Sequence, residues 1–296
     1  MLLFDFSDTG FKVLRLSPKI LGGEAMDSYT EVKIKDGLIV NRQISNHEEL
    51  AKEVKGALEK GGLKVDGEEA ALSLHDDRVF SLRLKVAAAK GADLFAAISE
   101  EVETFIPEPI SSQVTSFRPN GGEISFIAVS KELFSGYTKL FDSMGLKLSL
   151  AVPESYAIYT VLAPAIGKGE TVAYLNVEED ISDAVVMDSL GVLQTFTGEI
   201  ETPQIERRLG EILAFMEKRW SRKIAKIVVG GRSALDQGKL AQTLKVEVLA
   251  IDKVLEKYPL ELGSGTDKMK KAETLNLLGL AALTRRKDAL NLVPRD

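Results

Sequence analysis

The residues with the most chemical potential in this chain sit in one polar turn. The stretch 171–196 reads as an apolar strand, a turn, a second apolar strand, and a Ser-Leu-Gly turn leading to more strand. Its turn is Asn176-Val177-Glu178-Glu179-Asp180-Ile181-Ser182. A turn built to hold phosphate offers backbone N–H groups from a glycine-rich loop. Adjacent carboxylates do the reverse, since two like charges about 4 Å apart repel by roughly 1–4 kcal/mol. A polyphosphate is therefore not expected here. Carboxylates could instead take a divalent cation, but a solvated acidic turn is the plainer reading, and no metal is expected. His75-Asp76-Asp77 also has the composition of a metal or acid–base site. A single histidine at a strand end is read as structural, as is His47 beside a helix start. The basic run Lys218 to Lys223 reads as the last turn of a surface helix, where cations complement the helix dipole. A Ser-x-x-Lys nucleophile starting at Ser7 fails because residue 10 is Gly10.

The elements that must position these groups can be read from apolar periodicity. Strands are expected at 2–6 and 11–16, followed by a hairpin over 28–45 turning at Asp36-Gly37. Asn46 caps a helix over 47–62, and a strand follows at 69–75. The next block reads strand 78–86, helix 93–106, strands 111–119 and 124–130, helix 131–145 and strand 147–152. A helix at 153–167 has Pro153 at a plausible first position. After the acidic hairpin come helix 203–223, strand 224–235 entering Gly230-Gly231, helix 236–243, strand 245–251 and helix 268–286. Strands alternating with helices in this way specify an α/β fold.

Composition narrows the functions. The 296 residues, 45% hydrophobic, suffice for one large or two ordinary domains. With 44 acids against 38 bases, a net charge of −6 gives no nucleic-acid surface. The absence of cysteine removes disulfides, thiolate zinc sites and cysteine nucleophiles. No apolar run approaches the ~20 residues of a spanning helix, and MLLFDF breaks to charge at Asp5 too early for a signal peptide. A soluble, cytoplasmic protein that reaches a membrane only through a partner is the expectation.

The stretches RVFSLRL, EEVETFIPEPISSQVTSF and ISFIAVSKELFSGYTKLFDSMGLKLSLAVPESYAIY resemble the corresponding run of the PilM family. These are actin-like proteins of type IV pilus assembly, related to FtsA and to the cytoplasmic part of GspL. The resemblance implies an actin-like ATPase (ribonuclease H-like) α/β fold with an inserted β-α-β-β-α-β subdomain. The implied division is a first subdomain from 1–77 plus 153–168, the insert at 78–152, a second subdomain at 169–287, and a tail at 288–296. In the family some eighty residues separate the second phosphate hairpin from the Gly-Gly strand. Only Thr197 to Lys223 lies between them here, and Glu201-Thr202 stands at a usual Gly-Gly, so the second-half lobe is expected to be reduced.

The family's nucleotide motifs carry over with losses. The first phosphate loop, Asp-x-Gly-x-x-x-x-Lys, corresponds to Asp5 through Lys12, with Ser7 at the glycine. In the second, Asp-x-Gly-x-x-x-Thr, Asn176 replaces aspartate, Glu178 replaces glycine and Ser182 replaces threonine. Gly230 and Gly231 match the adenosine-side turn, and Glu154 falls on the acidic position of the connecting helix. Asp5 and Lys12 read as relics of a phosphate site, with polar flanks of a hairpin turn as the alternative. The expected cleft is degenerate, with no catalytic residues, no metal and no ATP or magnesium cofactor. The expected function is a non-catalytic scaffold of a type IV pilus or related type II secretion platform. The implied partner is a PilN-like membrane protein, whose short tail enters a groove between the first subdomain and the insert. An active ATPase using Glu154 and an FtsA-like filament former are the alternatives. Leu290-Asn291-Leu292-Val293-Pro294 resembles the Ile-Asn-Leu-Leu-Pro segment of that partner, which suggests a partner mimic, a fusion remnant or self-association through the tail. The plainer reading is a tail packing on its own domain.

Overall fold

The computed structural model describes residues 1–19, 24–63, 65, 67–85, 92–120, 122–177, 182–197, 204–231, 235–256, 262–267 and 269–294. The chain opens with an antiparallel meander of β1 (Leu2–Phe6), β2 (Gly10–Pro18) and β3 (Glu24–Lys33). A small hairpin, β4 (Ile39–Val40) and β5 (Gln43–Ile44), then leads to α1 (His47–Lys60) and β6 (Glu69–Leu74). Strands β7 (Val79–Leu84), β8 (Gln113–Asn120) and β9 (Glu123–Ser130), with α2 (Ala92–Val102), form a separate unit. The chain returns through α3 (Lys131–Met144), β10 (Lys147–Pro153) and α4 (Glu154–Leu162).

The second half runs β11 (Thr171–Val177), β12 (Ser182–Asp188), β13 (Gly191–Phe196), α5 (Ile205–Trp220), β14 (Ile224–Gly231), α6 (Gln237–Leu244), β15 (Glu247–Ala250), α7 (Ile251–Leu255), β16 (Leu262–Gly265) and α8 (Leu275–Leu283). Its sheet has the order β13-β12-β11-β14-β15, and the first half's sheet the order β10-β6-β1-β2-β3-β16. Each contains the same motif, an antiparallel hairpin whose first strand also pairs in parallel with a later strand.

Helices α4 and α8 join the halves. Ser155 to Leu162 are all buried, as is nearly all of α8, so both helices lack the polar face of a surface helix. They cross closely because Gly279 has no Cβ; one built there would run into the Ala157 backbone. The period of two along β11 turns Val172 and Tyr174 toward the core shared with these helices. Ala173, Leu175 and Val177 face the other way, into a core under α5 and α6.

Three sequence expectations change. Residues 28–45 do not form one hairpin at Asp36-Gly37; β3 pairs with β2, and the turn lies at Asn41 and Arg42, both at positive φ. The Asp8 carboxylate, which accepts from the Asn41 and Arg42 N–H groups at 2.8 and 2.9 Å, holds that conformation. The helix expected over 268–286 is shorter. A 3-10 turn at Lys271–Glu273 precedes α8, and the Thr274 hydroxyl donates back to the Lys270 carbonyl, competing with a continuous helix. Lastly, α3 and β10 belong to the first half rather than to the insert. Strand β10 pairs with β6, and Phe141 of α3 packs against the Phe4 and Phe6 rings at 5.2 and 6.3 Å. The insert proper is the β7-β9-β8 sheet and α2, with a core of Leu84, Ile98, Val102, Ile106, Ile124, Phe126 and Ala128.

Candidate functional site

Two places bring polar groups together: the floor of the cleft between the halves, and a groove along the edge of the first sheet. The cleft floor lies at the C-terminal ends of parallel strands, the usual binding crevice of α/β sheets. His75 and Asp76 follow β6, Glu154 follows β10, Asn176 is near the end of β11, and Gly230 and Gly231 end β14. Asp183 reaches in from β12, with its Nearest histidine atom, Nε2 of His75, 3.9 Å away; Glu154 lies 3.9 Å from the same nitrogen.

Burial and like charge act together there. Burial pushes the Glu154 carboxyl up to about 8; the His75 charge opposes that rise, and Asp5, Asp76 and Asp183 add to it. Burial alone would lower the His75 imidazolium, yet its hydrogen bond to Asp77 at 3.0 Å and the charge of Glu154 raise it to about 9. Asp76 is raised by burial to about 6, although it accepts from the Ser155 N–H at 2.8 Å and hydroxyl at 2.6 Å. The bond from the Ser155 N–H caps α4, whose N-cap residue, Pro153, supplies no side-chain cap. The floor is thus a cluster of carboxyl groups around one imidazolium.

Sequence reasoning set His75, Asp76 and Asp77 aside as structural and did not single out Asp183. Their common position after parallel strands was the available signal. The structure brings Asp5, Glu154, His75 and Asp183 into one electrostatic cluster and gives the other expected site residues separate partners. Both the N–H and the hydroxyl of Ser7 donate to the Gly10 carbonyl, at 2.8 and 3.1 Å, which closes the first turn on itself. Lys12 donates to the Glu273 carbonyl at 3.0 Å, across to the segment before α8. Asn176 sits in register with Asp183 and Gly230, 3.5 Å from the Tyr174 hydroxyl. A Cβ on Gly230 would meet that same hydroxyl, and one on Gly231, at φ +92°, would overlap the Val177 backbone. Close approach within the fold therefore accounts for both glycines. Glu178, Glu179, Asp180 and Ile181, the side chain of Ser182, and Glu201-Thr202 lie outside the described residues.

The groove is built by an irregularity in β10. Pairing with β6 slips between Leu148 and Leu150, a bulge that leaves Ser149 outside the ladder. Segment 289–294 lies along this edge. Asn291 acts there as a peptide group would: its Nδ2 donates to the Ser149 carbonyl and its Oδ1 accepts from the Ala151 N–H, each at 2.9 Å. The Leu292 N–H donates to the Ala151 carbonyl at 3.0 Å. The insert supplies the facing wall, where the Ser116 hydroxyl of β8 accepts from the Asn291 N–H at 3.2 Å. Tyr156 of α4 closes the base; its hydroxyl accepts from the Leu290 N–H at 3.5 Å, and the Arg118 guanidinium lies 5.9 Å over its ring. Leu290 and Leu292 are buried, Val293 packs partly buried against the same core, and Pro294 is exposed.

A third contact fixes the insert against the second half. Arg83 of β7 and Asp188 of β12 form a buried ion pair at 2.8 Å, with Glu123 at 3.5 Å and Arg222 at 3.7 Å on its rim. Gly191, at φ +139°, leaves room for that guanidinium.

No family model matches the chain, and no curated protein is similar to it in sequence. Solved structures do resemble it. A type IV pilus biogenesis complex of PilM and PilN gives a TM-score of 0.76 at 14% identity, covering 95% of this chain and 96% of that one. The cytoplasmic domain of EpsL, an inner-membrane component of the type II secretion system of Vibrio cholerae, gives 0.55 at 12% identity, covering 99% and 98%. A Bacteroides thetaiotaomicron protein of unknown function with an actin-like ATPase fold gives 0.53 at 10% identity, covering 95% of each chain. The chain has the actin-like ATPase fold.

Proposed function

We propose that this protein is a non-catalytic scaffold of a type IV pilus or related type II secretion platform, and that its edge groove receives an extended segment of a PilN-like membrane partner. One observation carries the reading: the bulged edge of β10 and the facing β8 hold the Leu-Asn-Leu segment through the Leu292 N–H, the Asn291 side-chain amide and two buried leucines. A sheet edge captures a peptide through its free backbone groups and neighbouring side-chain pockets, and here the Asn291 amide takes the place of part of the peptide's own main chain. The same fold occurs in a chain solved as a PilM–PilN complex, which supports that class of partner.

The cleft supports the absence of catalysis. A triphosphate needs free N–H groups, a cation and a glycine-lined approach. Here Ser7 closes its own turn, Lys12 is held by the Glu273 carbonyl, Tyr174 stands against Gly230, and the floor gathers carboxyl groups. Among the described residues this arrangement speaks against a nucleotide with its magnesium, and no step is assigned to one. Among the described residues no helix is long and apolar enough to cross a membrane. On this reading the protein sits at the cytoplasmic face of the inner membrane through its partner.

Isothermal titration tests both halves. The cytoplasmic segment of a PilN-like protein is expected to bind, with Ser116→Arg abolishing uptake by filling the groove wall. Mg-ATP is expected to give no heat and no turnover. Partner binding that ignores Ser116→Arg, or micromolar Mg-ATP binding with hydrolysis, would overturn the reading.

A further inference from the structure

We propose that the groove is self-occupied: segment 289–294 is a resident peptide ligand, and an external ligand, an extended peptide presenting Leu-Asn-Leu, enters only by displacing it. The regulatory part rests on the partner-binding role proposed above; the self-ligand part stands on the contacts alone.

Those contacts are the contacts of a bound peptide. The segment meets β10, β8 and α4, and its polar bonds to those walls run to backbone or hydroxyl groups. Asn291 specifies register, since its amide matches the Ser149 carbonyl and the Ala151 N–H at once; a leucine there would leave both edge groups unpaired. Leu290 and Leu292 on either side are the apolar anchors. The connection to α8 is exposed from Arg285 to Asp288, so the segment hangs on a short surface tether. Fit along the edge is incomplete. An open pocket of about 410 Å³ lies beside the segment, where Glu69, Lys147 and Arg286 join Leu148, Leu283 and Val293 in its walls.

A short tether gives an effective concentration of millimolar order. Against a free peptide with a dissociation constant near 10 μM, that predicts roughly 100-fold weaker apparent binding to the intact chain than to an opened one.

The probe is a fluorescein-labelled peptide of residues 288–296, read by polarisation. It is titrated against the intact chain, against a chain cut at a protease site inserted between Arg286 and Lys287 and then gel-filtered, and against an L290D/L292D chain. The cut and substituted chains are expected to keep their circular dichroism and bind the peptide about 100-fold more tightly than the intact chain. Equal binding to intact and opened chains overturns the proposal. So does failure of both opened chains to bind, or loss of their folded spectrum, because either result makes the segment a fixed part of the core. A stable dimer of the intact chain at micromolar concentration overturns occupancy within one chain. If the 288–296 peptide binds the opened groove and a PilN-like segment fails to compete, the self-ligand stands and the partner-binding role fails.

Discussion

Removing the Arg83 guanidinium tests whether the insert is fixed against the second half. Arg83→Met keeps the stem length and apolar contacts and deletes the charge. Asp188, of which 3% is exposed, then keeps only the Leu190 N–H at 2.8 Å and the half-exposed Arg222 at 3.7 Å. Breaking a buried pair from one side costs about 3–5 kcal/mol. The two remaining partners of Asp188 place the expected loss near the lower end, at about 3 kcal/mol. For a chain of this size each kcal/mol shifts Tm by roughly 2–4 °C, so a fall of about 6–12 °C is expected by calorimetry. Asp188→Asn in a double-mutant cycle should recover part of the loss, with a coupling above about 1 kcal/mol, because the second substitution removes the uncompensated charge. Hydrogen exchange should quicken in the β12–β13 turn, which the pair ties to β7 and the Asn120–Leu190 hydrogen bond ties to β8. A single-mutant loss below about 1 kcal/mol, with additive singles, would refute the argument that this pair joins the units.

Other expectations follow from the two sites. Asn291→Ala removes side-chain bonds to the Ser149 carbonyl and to the Ala151 and Val293 N–H groups; at roughly 1 kcal/mol each, docking should weaken by about 2–4 kcal/mol. The Ala151 and Leu292 amides should then exchange about 30- to 1000-fold faster, and unchanged exchange would contradict the assignment. The raised His75 contributes stability that is complete below pH 6.5 and lost as pH rises through about 9. Glu154, raised to about 8, binds a proton more tightly folded than unfolded and also makes stability fall with rising pH, between 4.5 and 8. Tm should therefore drop between pH 6.5 and 9, less steeply in His75→Gln; a rise over that range would reverse the sign argued here. Gly231→Ala should lower stability by about 2–4 kcal/mol in urea, because a methyl at φ +92° meets the Val177 backbone. The loss should be the same with and without Mg-ATP.

Much of the fold was legible because it is written in local patterns. Alternating apolar residues marked β1, β2 and β11 to β13, Asn46 marked the start of α1, and Gly145, at φ +76°, its counterpart at the end of α3. The run from Arg78 to Tyr159 carried the family resemblance. Asp36-Gly37 misled because a favourable turn dipeptide cannot say which strands will pair. The Asp8 carboxylate, distant in sequence, stabilises a turn at Asn41-Arg42 instead. His75 was discounted because nothing beside it in sequence reveals Glu154 and Asp183, which arrive from two other elements.

The sequence by itself determined residue types: Ser7 and Glu178 stand where the family resemblance implies glycines, and Leu290-Asn291-Leu292 resembles the peptide of the partner which that resemblance implies. These are statements about residue type, and type is local. Only the tertiary structure decided where Lys12 points, why Gly230 and Gly231 must be glycine, and that the Leu-Asn-Leu segment lies on its own chain's β10 edge. Each depends on which backbone groups are left unpaired when distant strands meet, and that is fixed by the packing of the whole chain rather than by any stretch of it.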